Sequence, residues 1–168
     1  MRILVKKGGP LTTLQDLGRY GYQKFGVLVS GAMDDVSLRL SNLLVHNDPG
    51  EGALEMTMSG PVLVLPAGLV FALTGADMKA TLGGKPVPRY RPIYVRKEAI
   101  LTFGFAQTGS RAYLSVAGGF DVPQVMESKS TYLRAKIGGV KGRPIDKGDE
   151  LPIGTIGPHQ AAFVGRME

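Results

Sequence analysis

Thr12–Asp34 reads TTLQDLGRYGYQKFGVLVSGAMD. Gly18, Gly21, Gly26 and Gly31 break the stretch four times, and repeated glycines weaken a helix interior through backbone entropy. No period-2 alternation runs through it, so a regular strand is not expected either. What the glycines space apart is chemistry: Thr12, Thr13, Gln15, Asp16, Arg19, Ser30 and Asp34. A long irregular segment inside a compact domain is uncommon and is usually functional or disordered. Leu14, Leu17, Phe25, Val27 and Val29 offer enough apolar surface to pin it to a core, which argues against disorder. The stretch therefore reads as an ordered binding loop that feeds a helix. A structural loop whose glycines only serve tight turns explains the same pattern.

On the far side of this loop the period changes. Val36, Leu40, Leu43 and Leu44 fall at i, i+4, i+7 and i+8, one stripe of an amphipathic helix. Asp34 suits its N-cap, Asn47 its left-handed terminator, and Pro49 stops it. On the near side, Arg2–Lys6 is a short β-rich run. Beyond the helix, expected strands are Val62–Leu65, Val70–Thr74, Lys79–Leu82, Ile93–Val95, Ile100–Phe103 and Ala112–Val116, separated by Pro66/Gly68, Gly83/Gly84 and Gly109/Ser110. Short strands with this punctuation point to a barrel or sandwich instead of alternating βαβ units. The fold class is thus mainly β, one domain over residues 1–168, with one flanking α-helix. The tail from Pro152 adds only the apolar run Ala161–Val164.

Composition removes whole classes of chemistry. There is no Cys, so disulfides, thiolate nucleophiles and Cys-based zinc sites are out. Two histidines, His46 and His159, do not make a histidine-rich metal centre, which leaves a carboxylate site for magnesium open; no metal ligand is assigned. No apolar run approaches a membrane span and the start shows no signal-peptide pattern, so the expected address is cytoplasmic, with no membrane contact. The net charge of +6 suits an anionic ligand or an acidic partner. RYRPIYVRK at 89–97 interleaves cations with tyrosines, but it reads better as an edge strand with solvated charges than as a nucleic-acid surface. No phosphate-cradling P-loop is present; LGGKPV and IGGVKGRP have the wrong spacing. Gly138, Gly139 and Gly142 beside Arg143 read as plain turns or as an anion nest. Neither histidine lies near a GxSxG elbow.

What remains is a set of acids, guanidinium groups and hydroxyls on glycine-rich loops. Arg19, Arg111 and Arg134 can each present a planar fork to a carboxylate or phosphate. Asp16 and Asp34 can act as general base or orient an amide N–H, although Asp16–Arg19 also fits a loop ion pair and Asp34 an ordinary N-cap. The helix start after Ser30–Gly31 offers free backbone N–H groups to an anion. Glu55 reads as a buried structural partner of one arginine. The expected cleft forms where Thr12–Asp34 meets Arg111–Tyr113 and Ser128–Arg134, so Tyr113, Ser130 and Thr131 join the candidates.

Thr12–Asp34 resembles the opening signature of the biotin-dependent carboxyltransferase-like family, which includes allophanate hydrolase subunit 2, a 5-oxoprolinase subunit and KipA-like antagonists of a sporulation-kinase inhibitor. Further matches follow in order: Leu54, Glu55 and Thr57; Gly60–Pro61; ALTGAD at 72–77; RAYLSVAGGFDVP at 111–123; STYLRAKIGG at 130–139; Gly142–Arg143; and Gly148–Asp149. The resemblance implies a cyclophilin-like β-barrel, the first half of a two-barrel architecture whose second half is absent here. It implies a subunit of a heteromeric ATP-dependent 5-oxoprolinase-type amide hydrolase, with Asp16, Arg19 and Asp34 catalytic. Ser30, Gly31, Arg111, Tyr113, Ser130, Thr131 and Arg134 would hold a lactam or urea-type substrate. ATP would act through the complex with a cognate KipI-like (allophanate hydrolase subunit 1-like) subunit. Two other family roles stay open. One is the carboxyltransferase component of a urea carboxylase/allophanate hydrolase system, with biotin on a separate carrier; the other is a non-enzymatic partner that antagonises a histidine-kinase inhibitor. The chain departs from the pattern at Leu28, His46, Glu127 and Lys129, where proline, glycine, glycine and arginine are usual. If position 127 needs φ > 0, glutamate there strains the loop.

Overall fold

The computed structural model describes residues 1–168. The strands are β1 Arg2–Lys7, β2 Thr12–Gln15, β3 Ala53–Thr57, β4 Val62–Leu65, β5 Val70–Gly75, β6 Thr81–Leu82, β7 Lys85–Pro86, β8 Ile93–Tyr94, β9 Ala99–Thr102, β10 Arg111–Val116 and β11 Glu150–Pro152. Helix α1 spans Asp35–Leu44 and helix α2 Pro158–Gly165. The strands form two sheets, ordered β11-β1-β4-β9-β6-β7 and β2-β3-β10-β5-β8, with antiparallel pairing throughout. The sheets enclose one core that draws Ile3, Val5, Leu63 and Leu65 from the first and Leu14, Leu54, Leu73 and Leu114 from the second. Hydrogen bonds do not close these sheets into a barrel. The mainly β reading holds, but the closed barrel does not follow from the ladders. No helix is long and apolar enough to cross a membrane.

Where one face of a strand is buried, sequence alternation found it. In β4, Leu63 and Leu65 point inward while Val62 and Val64 are half-buried. Two strands that escaped notice, β2 and β3, lack that signature. All four residues of β2 are buried, as are the first four of β3, so neither alternates, and both carry buried polar residues. The opening of the supposed irregular loop is therefore a strand, paired Thr12↔Met56 through Gln15↔Ala53.

Helix α1 begins as expected: the Asp34 side chain accepts from the Ser37 N–H. It ends one residue earlier than expected. His46, at φ 60°, is the left-handed residue. His46 N–H donates to the Leu43 carbonyl and Asn47 N–H to that of Asn42, the paired bonds of a Schellman cap. The helix is also turned over. Its buried residues are Ser37, Leu38, Ser41 and Asn42, while Val36, Leu40 and Leu43 are exposed. A second flanking helix, α2, was not expected. Pro158 occupies its first turn, and Phe163 anchors it against Val45, Val70, Ala72 and Ala117. Gln160 Nε2 donates to the Val45 carbonyl and to Asn47 Oδ1. His46 stacks on Phe163, and its Nδ1 lies 3.3 Å from His159 Nε2.

Candidate functional site

Past β2 the chain leaves the sheet and is tied down by one carboxylate. Asp16 Oδ1 accepts from Gly18 N–H (2.8 Å), Ser128 Oγ (2.7 Å) and Ser130 Oγ (2.6 Å). Its Oδ2 accepts from Lys129 N–H at 2.8 Å. Four donors nearly fill the lone pairs of a carboxylate, and Asp16 is buried. Arg19 threads beneath the same loop, 1% exposed. Its Nε donates to the Val125 carbonyl, and its Nη2 to those of Ser130 (2.6 Å) and Ser128 (3.4 Å). Burial lowers the Arg19 pKa, opposed by the charge of Asp16. Thr131 N–H and Oγ1 both reach the Leu14 carbonyl, which lays the second loop beside β2. This packing needs a glycine at 138: its φ is +72°, and a Cβ there would fall 2.0 Å from the Ser130 carbonyl oxygen.

Residues 126 and 127 adopt φ 51° and 64°. Glutamate at 127 thus stands in left-handed backbone, the strained geometry that its replacement of a usual glycine foretold. Lys129 bonds Glu51 Oε1 at 2.6 Å and the Phe120 carbonyl at 2.9 Å. It stands on the wall of a cleft of about 300 Å³ with Asp16, Asp48 and Glu51.

A second knot holds the entry to α1. Tyr113 Oη donates to Glu55 Oε2 (2.7 Å) and accepts from Asp34 N–H (2.9 Å); Met33 N–H donates to the same Oε2 (2.8 Å). Burial, and then the bond to Glu55, push the Tyr113 pKa well above its ordinary value, so it stays a protonated phenol. Ser30 (φ 56°) and Gly31 (φ 93°) turn the chain into this knot. Glu55 is the buried partner of an arginine, as the sequence suggested: Arg111 Nε lies 3.9 Å from Glu55 Oε1. Arg111 Nη1 meets Ser110 Oγ at 3.3 Å, while Nε is buried with no hydrogen-bond partner. The guanidinium borders a cleft of about 440 Å³ shared with Asp34, Ser37, Ser110 and Tyr90.

The ten candidates therefore divide. Asp16, Arg19, Ser130 and Thr131 meet in one buried knot. Asp34, Tyr113 and Arg111 meet at the larger cleft, and Ser30 and Gly31 link the two. Arg134 is exposed and lines neither cleft. A single pocket uniting Asp16, Arg19, Arg111 and Arg134 is not what the fold builds. Sequence reasoning missed Ser128 and Lys129 as partners of Asp16, although both flank the Ser130–Thr131 pair it chose. It set Arg143 beside glycines read as plain turns or as an anion nest, and missed its carboxylate partner. Arg143 instead forms a two-pronged pair with Asp149, both contacts 2.8 Å.

In sequence and in fold the chain is similar to known proteins. The chain is 43% identical over 148 residues to a 5-oxoprolinase subunit of Escherichia coli, covering 88% of this chain and 48% of that one. It is 41% identical over 144 residues to the urea amidolyase of Saccharomyces cerevisiae, covering 85% of this chain and 8% of that protein. Against the crystal structure of Kluyveromyces lactis urea carboxylase the TM-score is 0.89 at 38% identity, over 95% of this chain and 14% of the other. The chain thus spans less than half the length of these relatives. The family model for the carboxyltransferase domain, subdomain A and B, matches residues 25–166, and the chain belongs to that family.

Proposed function

We propose that residues 1–168 form one domain, equivalent to the first half of a subunit of a 5-oxoprolinase-type amide hydrolase, which opens 5-oxoproline to glutamate. The observation that carries this reading is the 440 Å³ cleft with the Arg111 guanidinium on its wall. That volume suits a small substrate. Arg111 Nε is buried 3.9 Å from Glu55 Oε1, while the guanidinium lines the cleft, and a planar guanidinium there binds a carboxylate directionally. Asp34 sits across the cleft, fixed through its N–H on Tyr113 and its capping bond to Ser37. In this reading Arg111 holds the substrate carboxylate and Asp34 orients the ring N–H or the attacking water. Hydrolysis breaks the lactam C–N bond, adds the water oxygen to the carbonyl carbon and leaves the proton on the ring nitrogen. Asp16 and Arg19, bonded to the 128–130 loop, keep the chain after β2 in place.

Neither cleft fits ATP. The larger one borders a single guanidinium beside a carboxylate, and the smaller has three carboxylates against one lysine. Nucleotide activation therefore belongs to a KipI-like (allophanate hydrolase subunit 1-like) partner in this proposal. The test is ATP-dependent glutamate release by the reconstituted complex. Arg111→Ala and Asp34→Asn each lower kcat/KM at least tenfold, Arg111→Lys recovers part of it, and melting temperatures stay close to wild type. Wild-type turnover in both variants overturns the assignment.

The likeness to urea carboxylase supports a second reading, in which the same cleft receives a carboxyl group from a biotinylated carrier for transfer to urea. Activity that requires that carrier and urea, with none on 5-oxoproline, selects it. Tight binding to the KipI-like protein without any turnover selects the non-enzymatic antagonist.

A further inference from the structure

One wall of the Arg111 cleft holds a hydroxyl that the fold fixes in place but leaves without a good acceptor. Tyr90 lines that cleft beside Asp34 and Arg111, in the chain between β7 and β8. Its φ is 61°, left-handed backbone that an aromatic residue rarely adopts and that persists only where neighbours enforce it. Here β5 enforces it. Tyr90 N–H donates to the Leu73 carbonyl at 2.8 Å, and Tyr90 Oη accepts from Gly75 N–H at 3.1 Å. Gly75 is packed so closely on β10 that a Cβ there would fall 2.5 Å from the Arg111 carbonyl oxygen, so the phenol is held in register with Arg111. Its proton is a different matter. The Gly75 carbonyl lies 3.4 Å from Oη, beyond the usual range of about 2.5–3.0 Å for such a bond, and Arg89 Nη1 already donates to that oxygen. With the side chain 47% exposed, the core does not need this donor. We infer that Tyr90 is a substrate-binding residue of the cleft. Its O–H donates to the ring carbonyl oxygen of a small lactam whose carboxylate lies on Arg111 and whose ring N–H lies on Asp34.

The chemistry of the ligand fits this set of groups. In 5-oxoproline the ring nitrogen stands between the carbon that bears the carboxylate and the carbonyl carbon. One edge of the molecule therefore presents acceptor, donor, acceptor. The cleft answers with donor, acceptor, donor: Arg111 from the start of β10, Asp34 from the entry to α1, and Tyr90 from the chain before β8. Asp34 keeps lone pairs for the ring N–H, because Oδ1 takes one bond from Ser37 N–H and Oδ2 one from Ser37 Oγ. The charged residues on the wall are Asp34 and Arg111, one of each sign, so net charge does not select the ligand and the order of donors and acceptors does. A ring that carries a carboxylate alone would satisfy Arg111 and leave Asp34 and Tyr90 facing carbon. When the lactam enters, the Tyr90 proton exchanges water for the ring carbonyl, and no bond within the protein has to break.

The inference rests on the reading of Arg111 and Asp34 given above, and the experiment separates the two. The purified chain is titrated with 5-oxoproline and with cyclopentanecarboxylate, which keeps the ring size and the carboxylate but lacks the carbonyl and the N–H. Amide NMR shifts give a Kd for each. Wild type binds 5-oxoproline more tightly than the analogue. Tyr90→Phe weakens 5-oxoproline about fivefold, the loss of one neutral hydrogen bond, and leaves the Kd of the analogue and the melting temperature unchanged. Arg111→Ala weakens both ligands. A Tyr90 that only shapes the wall would lower both affinities together in Tyr90→Phe, and that result overturns the inference. So does an unchanged Kd for 5-oxoproline in Tyr90→Phe, or a wild type that prefers the analogue. A wild-type chain that binds neither compound also overturns it, while glutamate release by the reconstituted complex still decides the proposed function by itself. A loss in Tyr90→Phe with none in Arg111→Ala keeps Tyr90 in the site and overturns the role given to Arg111.

Discussion

Asp16 shows how much of this fold hangs on a single side chain. Its four donors come from residues 18, 128, 129 and 130, so it joins segments more than a hundred positions apart, and its charge faces the buried Arg19. Asp16→Asn turns acceptor lone pairs into donors that face other donors and leaves the guanidinium uncompensated. That change should cost about 3 kcal/mol of stability; chemical denaturation measures it, and a loss below ~1 kcal/mol would show that the knot tolerates a neutral hub. The sequence offered the right residue types here but not their partners. A carboxylate next to a glycine and an arginine reads equally as catalyst, ion pair or anchor, and only the fold brings the 128–130 loop to it. Glu127 is the opposite case. Its departure from a usual glycine was enough to name the strained position, because φ > 0 constrains residue type locally.

At the scale of elements, periodicity proved a good guide to existence and a poor one to facing. The stripe in α1 was legible, its helix formed with the expected N-cap, and yet the apolar side faces water. The polar stripe finds Ser115, Asn47 and backbone carbonyls, partners contributed by distant strands and loops that no window of local sequence contains. This inversion makes an unusual mutational order. Asn42→Ala, which removes the acceptor of the buried Ser115 hydroxyl and the donor to the Pro49 and Glu51 carbonyls, should cost about 2 kcal/mol, whereas Leu40→Ala should change stability by less than ~0.5 kcal/mol. Urea titrations of the two variants decide it, and the reverse order would mean that α1 does not sit as described. β2 and β3 were invisible for a related reason, since strands buried on both sides lose their alternation.

Across the whole molecule, two sheets share one core, and the ends of the chain hold it shut. β11 pairs with β1, and the Arg143–Asp149 pair stands just before it. The bond from Arg143 holds the Asp149 carboxyl below the usual carboxylate range, against the upward pull of burial. A depressed native pKa stabilises the fold above the unfolded value of about 4, and that contribution fades as pH falls through the native value. The stability gap between wild type and Arg143→Ala should therefore be constant from pH 5 to 7 and shrink below pH ~4 in guanidinium titrations. A gap that widens on acidification would exclude the linkage. Arg2 faces Pro152 across the β1–β11 ladder, so β1 leaves the ribosome long before its partner strand is made. At 5–20 residues per second the delay is on the order of ten seconds. Throughout it, one flank of a nascent strand carrying Ile3 and Val5 has no native neighbour, an invitation to intermolecular pairing that chaperones must hold off during translation.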